Sequence, residues 1–442
     1  METFLGYRRP DGAVGVRNHV AIIPAVVCAN TVVQRIAQLV PGTVALPHPH
    51  GCAQIGDDVQ MTMWSLAGAA ANPNVAAALI VGLGCETCQS TDVLELAQER
   101  TPDKHLERFS IQEAGGSIKA IQRGVETART LVSEVATQQP EPTPLNELIV
   151  GTECGGYDAT SGAAANPTVG IVADWLVAQG ATVLLGETAE FFGAERTLAR
   201  RARDKATAQR LYEIVARLEA EAQYVGESVA GAATPPATED DSGGRTEAAL
   251  GCIRKGGTTE VQEVVGFSDR PTRAGLVVMD TPSHDTVALT GMVTGGAQLC
   301  IATTGRGSPV GNALAPVINV TANPRTAARM GDNIDLSLAG IVEGTDTPDA
   351  LAAELTALTV EVARGELTAA EIIGHEEFAL YRIGPQVWDS GPLWPPPRCG
   401  GGTWIPAFAG MTGYAKVSES GNDGPGWPGR LYRVGEVGRG GG

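Results

Sequence analysis

Four short segments place a cysteine beside glycine, with carboxylate, imidazole or amine groups within a few residues. These segments are residues 48–52, 82–86, 151–156 and 251–257, and three of them follow apolar runs typical of strands. Glycine lets the backbone turn sharply and approach a ligand closely. Because open α/β sheets build their sites in loops at the carboxyl ends of strands, the pattern predicts an active site assembled from strand ends around a metal.

The first two segments supply candidate metal ligands. His48, His50 and Cys52 lie within five residues of one another. Imidazole and thiolate groups are the preferred ligands of iron and zinc. Cys85 is the better candidate in the second segment, whose Cys-x-x-Cys spacing to Cys88 lacks the second pair of a structural zinc site. We therefore expect His50, Cys52 and Cys85 to contribute to a metal site.

The later segments add a further thiol and candidates for proton transfer. Cys154 lies in a dense polar loop and is the fourth metal-ligand candidate. Glu187 follows an apolar strand, where a carboxylate is costly unless it is paired or bound to a metal. Lys255 and His284 are candidates for a general base or acid. Glu187 completes this set of predicted catalytic residues.

A glycine-rich loop at residues 303–311 carries hydroxyl groups and one arginine. An arginine can bind a sugar-acid carboxylate through two parallel hydrogen bonds. Arg306, Thr304 and Ser308 are therefore predicted to hold the substrate, together with Asp280 at another strand end. The alternative for Arg306 is a solvated surface turn.

Composition restricts the class of protein. The 442 residues carry a net charge of −18, which argues against nucleic acid or an anionic membrane as a partner. We find neither a basic-then-apolar leader at the start nor an apolar stretch approaching the roughly 20 residues of a membrane-spanning helix. The eight cysteines are widely spread, which favours free thiols in a reducing cytoplasm. We expect a cytoplasmic enzyme.

Strand and helix patterns alternate along the chain, which predicts parallel sheets. The predicted fold is α/β, with two Rossmann-like doubly wound domains and the site at strand carboxyl ends. Strands are predicted at 19–27, 44–46, 76–81, 148–150, 181–185, 275–280 and 299–303. Helices are predicted at 30–39, 59–71, 167–179 and 194–222, and one or two helices, interrupted near 115–116, are predicted over 112–136. The predicted regions are an N-terminal domain at 1–140, a proline-rich linker at 137–147, a catalytic domain at 148–387 with a mobile insertion at 226–246, and an atypical disordered tail at 388–442.

Taken together, ordered sequence blocks make the chain resemble the altronate/galactarate dehydratase (UxaA) family from about residue 6 to residue 385. The blocks are the cysteine motifs and residues 6–12, 15–18, 187–195, 255–257, 279–282, 290–292, 303–309 and 330–333. The resemblance implies a hydro-lyase that removes water from a sugar acid to give a 2-keto-3-deoxy acid. It also implies dependence on Fe²⁺ or Mn²⁺.

Similar chains act as the large subunit of a sulfolactate sulfo-lyase, which is the alternative function. Full-length dehydratases carry a small N-terminal SAF domain, whereas the Gly-Tyr-Arg block here begins at residue 6. We therefore expect a separate small SAF-domain subunit as partner, and a homo-oligomer of this chain. The His48-Pro49-His50 form departs from the family's His-Gly-x-Gly-Cys pattern, so the hydroxy-acid substrate stays open.

The chemistry implied by the resemblance is removal of the proton next to a carboxylate. A divalent metal chelating the carboxylate and the 2-hydroxyl would stabilise the enediolate, and hydroxide or sulfite would then leave. Glu86, Glu153 and Glu187 are reserve ligands. An iron–sulfur cluster held by the cysteines and a non-catalytic binding subunit are the remaining alternatives.

Overall fold

The computed structural model describes residues 2–224 and 245–382. The predicted tail at 388–442 lies outside these residues, as does the predicted insertion at 226–246 except for its last two positions, which begin a helix. Across the described ranges, no helix combines the length and apolar character needed to traverse a lipid bilayer.

The N-terminal half is built on a four-stranded parallel sheet in the order β4-β3-β5-β6. Its strands are β3 (His19–Pro24), β4 (Thr43–Ala45), β5 (Val75–Gly82) and β6 (His105–Ser110). Strand β5 is buried along its whole length, as expected for a central parallel strand covered on both faces. Helices lie between successive strands: α1 (Asn30–Leu39), α2 (Asp57–Ala71), α3 (Ser90–Arg100), α4 (Ile111–Ala114) and α5 (Ser117–Val135).

The C-terminal half contains a seven-stranded parallel sheet in the order β10-β11-β9-β8-β12-β13-β14. Its strands are β8 (Ile149–Gly155), β9 (Thr182–Leu185), β10 (Val261–Val265), β11 (Gly275–Met279), β12 (Leu299–Thr304), β13 (Val317–Thr321) and β14 (Leu336–Ser337). Its helices are α6 (Asn166–Ala178), α7 (Glu195–Ala199), α8 (Lys205–Tyr224), α9 (Arg245–Ile253), α10 (Asp285–Thr294), α11 (Pro324–Arg329), α12 (Ala339–Glu343), α13 (Pro348–Ala363) and α14 (Ala369–Ile373). The α/β prediction is confirmed, whereas the more specific Rossmann-like description of each half stays a prediction.

Two local predictions are corrected by the structure. The proline-rich segment at 137–147 contains a strand, β7 (Glu141–Pro144), which pairs antiparallel with β1 (Thr3–Arg8). A second short strand, β2 (Val14–Gly15), pairs with the other edge of β1. Proline is tolerated there because one side of an edge strand makes no hydrogen bonds to a neighbouring strand, so the missing N–H donor costs nothing. The helix predicted over 194–222 is interrupted between α7 and α8.

The two halves share an apolar core. One continuous cluster of buried side chains joins β3 and β5 of the first sheet to β9, β11 and β12 of the second. Buried asparagines reinforce the join, because the Asn72 amide donates to the Val293 carbonyl at 2.6 Å and the Asn74 amide donates to the Gln298 carbonyl at 2.7 Å. The parallel sheets are therefore held in one compact unit.

Candidate active site

A fully buried lysine lies between two carboxylates at the end of β9. Lys255 Nζ is 2.8 Å from Glu187 Oε2 and 3.0 Å from Glu190 Oε2. The lysine sits in a tight 3-10 turn, Arg254–Gly256, that follows α9. The next residue, Gly257, has φ of 70°, and a Cβ there would lie 2.2 Å from Asp174 Oδ1, so only glycine fits this turn.

Glu187 adopts an unusual backbone conformation where it leaves β9. Its φ is 66°, in the left-handed region that non-glycine residues seldom occupy. The conformation is fixed by the Glu187 N–H, which donates to Thr281 Oγ1 at 2.7 Å. The carboxylate in turn accepts the backbone N–H of Cys154 at 2.8 Å. Strain of this kind concentrates at functional sites, and here it directs the carboxylate toward β8.

Burial and charge together determine the protonation of this cluster. Burial alone would lower the pKa of Lys255, but the charges of Glu187 and Glu190 outweigh it and raise this pKa well above its usual value. Burial raises the pKa of Glu187 well above its usual value, and the neighbouring Glu190 charge adds to the rise. The lysine is therefore held as an ammonium ion, while the carboxyl groups compete for a limited positive charge.

Two buried thiols lie beside the lysine. The hydrogen bond from the Cys252 thiol lowers the pKa of Cys154 against the effect of burial, and the same bond raises the pKa of Cys252. The Asn166 amide approaches Cys154 Sγ at 3.6 Å. Thr303 Oγ1 donates to Asn166 Oδ1 at 2.6 Å and so fixes the amide with its N–H₂ toward the sulfur. The arrangement favours a Cys154 thiolate.

Glu153 is the least satisfied group in this region. Its side chain is fully buried, and neither carboxyl oxygen has a hydrogen-bond partner within the described residues. Burial raises the pKa of Glu153 well above its usual value, with Glu187 and Asp285 adding to the rise. A neutral carboxylic acid beside the Cys154 thiolate and the Lys255 ammonium ion is a group poised to move a proton.

An open cleft of about 420 Å³ lies above these strand ends. It is lined by Ser283, His284, Asp285, Thr286, Ser308, Pro309, Val310 and Glu377. Asp285 joins the cleft to the buried cluster: Ser308 Oγ donates to Asp285 Oδ2 at 2.8 Å, and a Cβ on Gly155 would lie 2.2 Å from the same oxygen. The end of β8 thus forms the boundary between the cleft and Glu153.

The residues predicted to bind substrate are placed differently from one another. Ser308 lines the cleft, and Arg306 is exposed next to Gly156. Thr304 is buried, and its hydroxyl accepts the Ser308 N–H at 2.8 Å, which shapes the loop. Asp280 accepts a hydrogen bond from Thr188 at 2.8 Å and pairs with Arg217 at 2.7 Å.

The predicted ligands in the N-terminal half occupy a second group of loops. His48 is fixed by backbone on both sides, since Nδ1 accepts the His50 N–H at 3.2 Å and Nε2 lies 2.7 Å from the Pro24 carbonyl. Burial lowers the pKa of His48 to about 4. Cys52 and Cys85 are exposed. The Cys88 N–H donates to the Gly51 carbonyl at 3.0 Å and holds the two loops together.

The predicted metal ligands do not form a single set in this arrangement. Within residues 2–224 and 245–382, no three His, Cys, Asp or Glu side chains converge in a way that could hold a metal ion. Cys154 is buried in the larger sheet, whereas His50, Cys52 and Cys85 lie in loops of the smaller one. The donor set therefore does not fit a metal as the side chains stand, and no chemical step is derived through one.

Sequence reasoning grouped Glu187, Lys255 and Cys154 as site residues, and the structure places them together. It missed Asp285 as the link to the cleft, although an acid directly after His284 at the start of a helix was a usable signal. It also missed Asn166 as the partner of Cys154. The signal there was Asn166-Pro167 at the entrance of α6. Cys154 itself lies near the end of β8 and not in the predicted loop, because the strand continues beyond the predicted residues 148–150 to Gly155.

The fold and site define an α/β enzyme whose ionisable groups gather at the carboxyl ends of parallel strands. Residues 145–386 match the family model "D-galactarate/Altronate dehydratase, C-terminal", and residues 6–136 match "D-galactarate dehydratase/Altronate hydrolase, second domain". The chain belongs to the D-galactarate/altronate dehydratase family and is an enzyme of the lyase class.

Three relatives illustrate the range of the family. The chain is 35% identical to the (2R)-sulfolactate sulfo-lyase subunit beta of Chromohalobacter salexigens, over 86% of this chain and 97% of the relative. It is 32% identical to the altronate dehydratase of Escherichia coli, over 86% and 77%. It is 31% identical to the galactarate dehydratase (L-threo-forming) of Escherichia coli, over 87% and 77%.

Proposed function

We propose that this enzyme removes water from an altronate- or galactarate-like sugar acid and gives a 2-keto-3-deoxy acid. The names of two groups of relatives support the reaction class. The observation that carries the proposal is the cleft at the strand ends, where Asp285 connects the accessible His284 and Ser308 to the buried Glu153. Such a site offers a base on the solvent side, His284, and an acid on the protein side, the Glu153 carboxyl group.

Dehydration requires one group to take the proton next to the carboxylate and another to protonate the departing hydroxyl. We assign the first step to His284, which is exposed on the cleft and whose Nδ1 lies 3.2 Å from Thr286 Oγ1. Breaking the C–O bond releases hydroxide, which takes the proton of the neutral Glu153 carboxyl, passed through Asp285, and leaves as water. The proton taken by His284 then restores the neutral Glu153 by way of the solvent. The resulting enol tautomerises to the keto acid.

The buried cluster of Lys255, Glu187 and Glu190 supports this step by supplying positive charge and by exchanging protons. Lys255 stays an ammonium ion between Glu187 and Glu190, and it counters negative charge that builds up above β8. Glu187 exchanges its proton with the same network. These roles keep Lys255, His284 and Glu187 as the proposed catalytic set, with Lys255 acting as a fixed cation rather than as a free base.

Substrate binding is assigned to the loop after β12 and the start of α10. Arg306 would bind the substrate carboxylate and Ser308 a hydroxyl. The N-terminal turn of α10, where His284, Asp285 and Thr286 line the cleft, adds unpaired N–H groups that favour an anion. Thr304 and Asp280 shape the surrounding loops through the hydrogen bonds described above.

A second candidate is the large subunit of a sulfolactate sulfo-lyase. It is favoured by the 35% identity and by an alignment that covers 97% of the sulfo-lyase subunit beta. The chemistry shares the first step, because a proton next to a carboxylate is removed and sulfite replaces hydroxide as the leaving group. The word "subunit" in the relative's name also supports our proposal of a small SAF-domain partner.

Dependence on Fe²⁺ or Mn²⁺, or on an iron–sulfur cluster, is proposed on the family resemblance alone. Iron and acid-labile sulfide measured on protein purified without oxygen test it directly. About one iron per chain without sulfide supports a single ion, and three or four irons with matching sulfide support a cluster.

The seven cysteines of the described residues are free thiols, which supports the proposed cytoplasmic location.

Replacing His284 with Gln tests the assignment of the base. We expect kcat to fall by about 10²- to 10⁴-fold in an assay that follows keto-acid formation. His105→Gln is the matched control, since His105 lies on β6 and is half-exposed beside Glu134 and Glu107. A His284→Gln enzyme as active as the His105→Gln control would refute the role of His284.

A further inference from the structure

A second, smaller cavity lies where the two halves of the molecule meet. Its volume is about 110 Å³. One wall comes from the end of α2 and from Arg100 at the end of α3, and the other from Arg270 and the end of α10. Its lining includes Gly68, Arg100, Arg270, Thr294 and Gly296. The cavity therefore presents two arginines in a protein of net charge −18.

Arg100 is held in a fixed orientation. Its guanidinium stacks on the Trp64 ring at 3.5 Å from the ring centre. Nη1 and Nη2 donate to the Thr294 and Ser268 carbonyls at 3.4 Å and 3.2 Å, which are long contacts for a charged donor. A Cβ on Gly68 would lie 2.6 Å from Nη1, so glycine there makes room for the guanidinium.

Positive charge is concentrated around the cavity. Arg270 is exposed, and its Cγ lies 3.8 Å from the position that a Cβ would take on Gly296. No carboxylate of the described residues forms an ion pair with Arg270. Burial lowers the pKa of Arg100 to about 10, with Asp269 opposing and Arg270 adding to the fall. Burial also lowers the pKa of the nearby Lys104. The charges of Arg9 and Arg270 add to this fall, and the charge of Asp11 opposes it.

Asp269 does not neutralise this concentration of charge by pairing directly with either arginine. Its two carboxyl oxygens accept the Trp64 indole N–H at 2.7 Å and the Gly266 N–H at 3.1 Å. The cations therefore repel one another around an open space. A bound anion would relieve that repulsion, and a planar guanidinium matches the oxygens of carboxylate or phosphate in a two-point hydrogen bond.

We propose that this cavity is a binding site for a small oxyanion, a phosphate or carboxylate group, held between Arg100 and Arg270. The site is separate from the candidate active site. Helix α10 has ten residues, so its two ends, one at the cleft and one at this cavity, lie about 15 Å apart. Because the two arginines belong to different halves of the molecule, a bound anion joins the halves.

Isothermal titration calorimetry of the full chain with inorganic phosphate, succinate and chloride at matched ionic strength tests the proposal. We expect saturable binding of phosphate or succinate and none of chloride. The stronger of the two ligands identifies the source of the oxyanion. Arg270→Gln should weaken binding at least tenfold, and Arg270→Lys should weaken it less because the charge is kept without the two-point geometry.

Arg129→Gln is the matched control, because Arg129 is an exposed arginine on α5. It should bind the oxyanion like the unaltered chain. Thermal unfolding of all variants without ligand verifies that they are folded. Absence of saturable binding, or equal affinities for the Arg270→Gln and Arg129→Gln proteins, would overturn the site.

Discussion

Replacing Lys255 with Met removes the only cation in direct contact with Glu187 and Glu190 within the described part of the chain. Methionine has a similar length but no charge, so the change isolates the electrostatic part of the interaction. The side chains of Lys255 and Glu187 are 0% and 2% exposed and that of Glu190 is 12% exposed. Water therefore cannot replace the ammonium ion at Glu187.

The expected cost follows from that burial. Removing one partner of a buried ion pair typically destabilises a protein by about 3–5 kcal/mol, because the remaining charge is left without compensation. Glu187 keeps one partner, the Cys154 N–H at 2.8 Å, which places the expected loss toward the lower end of that range. We therefore predict that Lys255→Met lowers the free energy of unfolding by about 3 kcal/mol at pH 8.

Dependence on pH separates charge from packing. In the variant the two carboxyl groups escape their penalty by binding protons, so the destabilisation should be smaller at pH 5 than at pH 8. A cavity left by poor packing would cost the same at both values. Adding Glu187→Gln and Glu190→Gln to the variant should recover most of the loss, because no buried charge is then left unpaired.

The assay is urea unfolding followed by circular dichroism, with Lys119→Met as the control. Lys119 is exposed on α5, so its replacement should change stability by no more than about 0.5 kcal/mol. A loss below 1 kcal/mol for Lys255→Met, or a loss that does not vary between pH 5 and pH 8, would refute the buried charge cluster.

Further predictions concern Glu153, the thiols and a loop glycine. Because its pKa is raised, Glu153 keeps its proton to higher pH in the folded state than in the unfolded state. Its contribution to the free energy of unfolding is therefore complete below the unfolded pKa of about 4.5 and is lost as the pH rises. Glu153→Gln should flatten this decline in stability above pH 4.5, and an unchanged dependence of urea unfolding on pH would contradict the prediction. Cys252→Ala removes the hydrogen bond that lowers the pKa of Cys154, so the thiolate absorbance at 240 nm should titrate at higher pH; the same titration as the unaltered chain would show that Cys252 does not act on Cys154. Gly51→Ala should cost at least 1 kcal/mol more than Gly12→Ala in urea unfolding, since both glycines have positive φ but only a Cβ at Gly51 clashes, at 2.2 Å from the Ala25 carbonyl; equal losses would refute the clash.

Much of the secondary structure could be predicted from periodicity. The strand predicted at 76–81 and the helix at 30–39 agree with β5 and α1 because their apolar spacing is unambiguous. The strand β7 was missed because its sequence, Glu-Pro-Thr-Pro, is typical of a linker. Only its pairing with β1, about 140 residues earlier in the chain, makes it a strand, as the pairing of Thr3 with Pro144 shows. Such long-range pairing is not encoded locally.

The candidate site was predictable to the extent that strand ends of one sheet meet. Cys154 lies near the carboxyl end of β8, and Glu187 follows the neighbouring parallel strand β9, so their proximity follows from topology alone. Cys85 follows a strand of the other sheet, and sequence gives no rule for which strand ends of two different sheets converge. The orientation of a side chain such as Thr304, which turns back to its own loop, also depends on local packing.

The proposed reaction is tested most directly by offering the purified chain its possible substrates. The protein, prepared without oxygen and supplied with Fe²⁺, is incubated with altronate, galactarate and sulfolactate, and both 2-keto acid and sulfite are measured. We predict keto acid from altronate or galactarate, no sulfite, and loss of this activity in the His284→Gln variant. Sulfite release from sulfolactate without keto-acid formation from either sugar acid would contradict the dehydratase assignment and favour the sulfo-lyase.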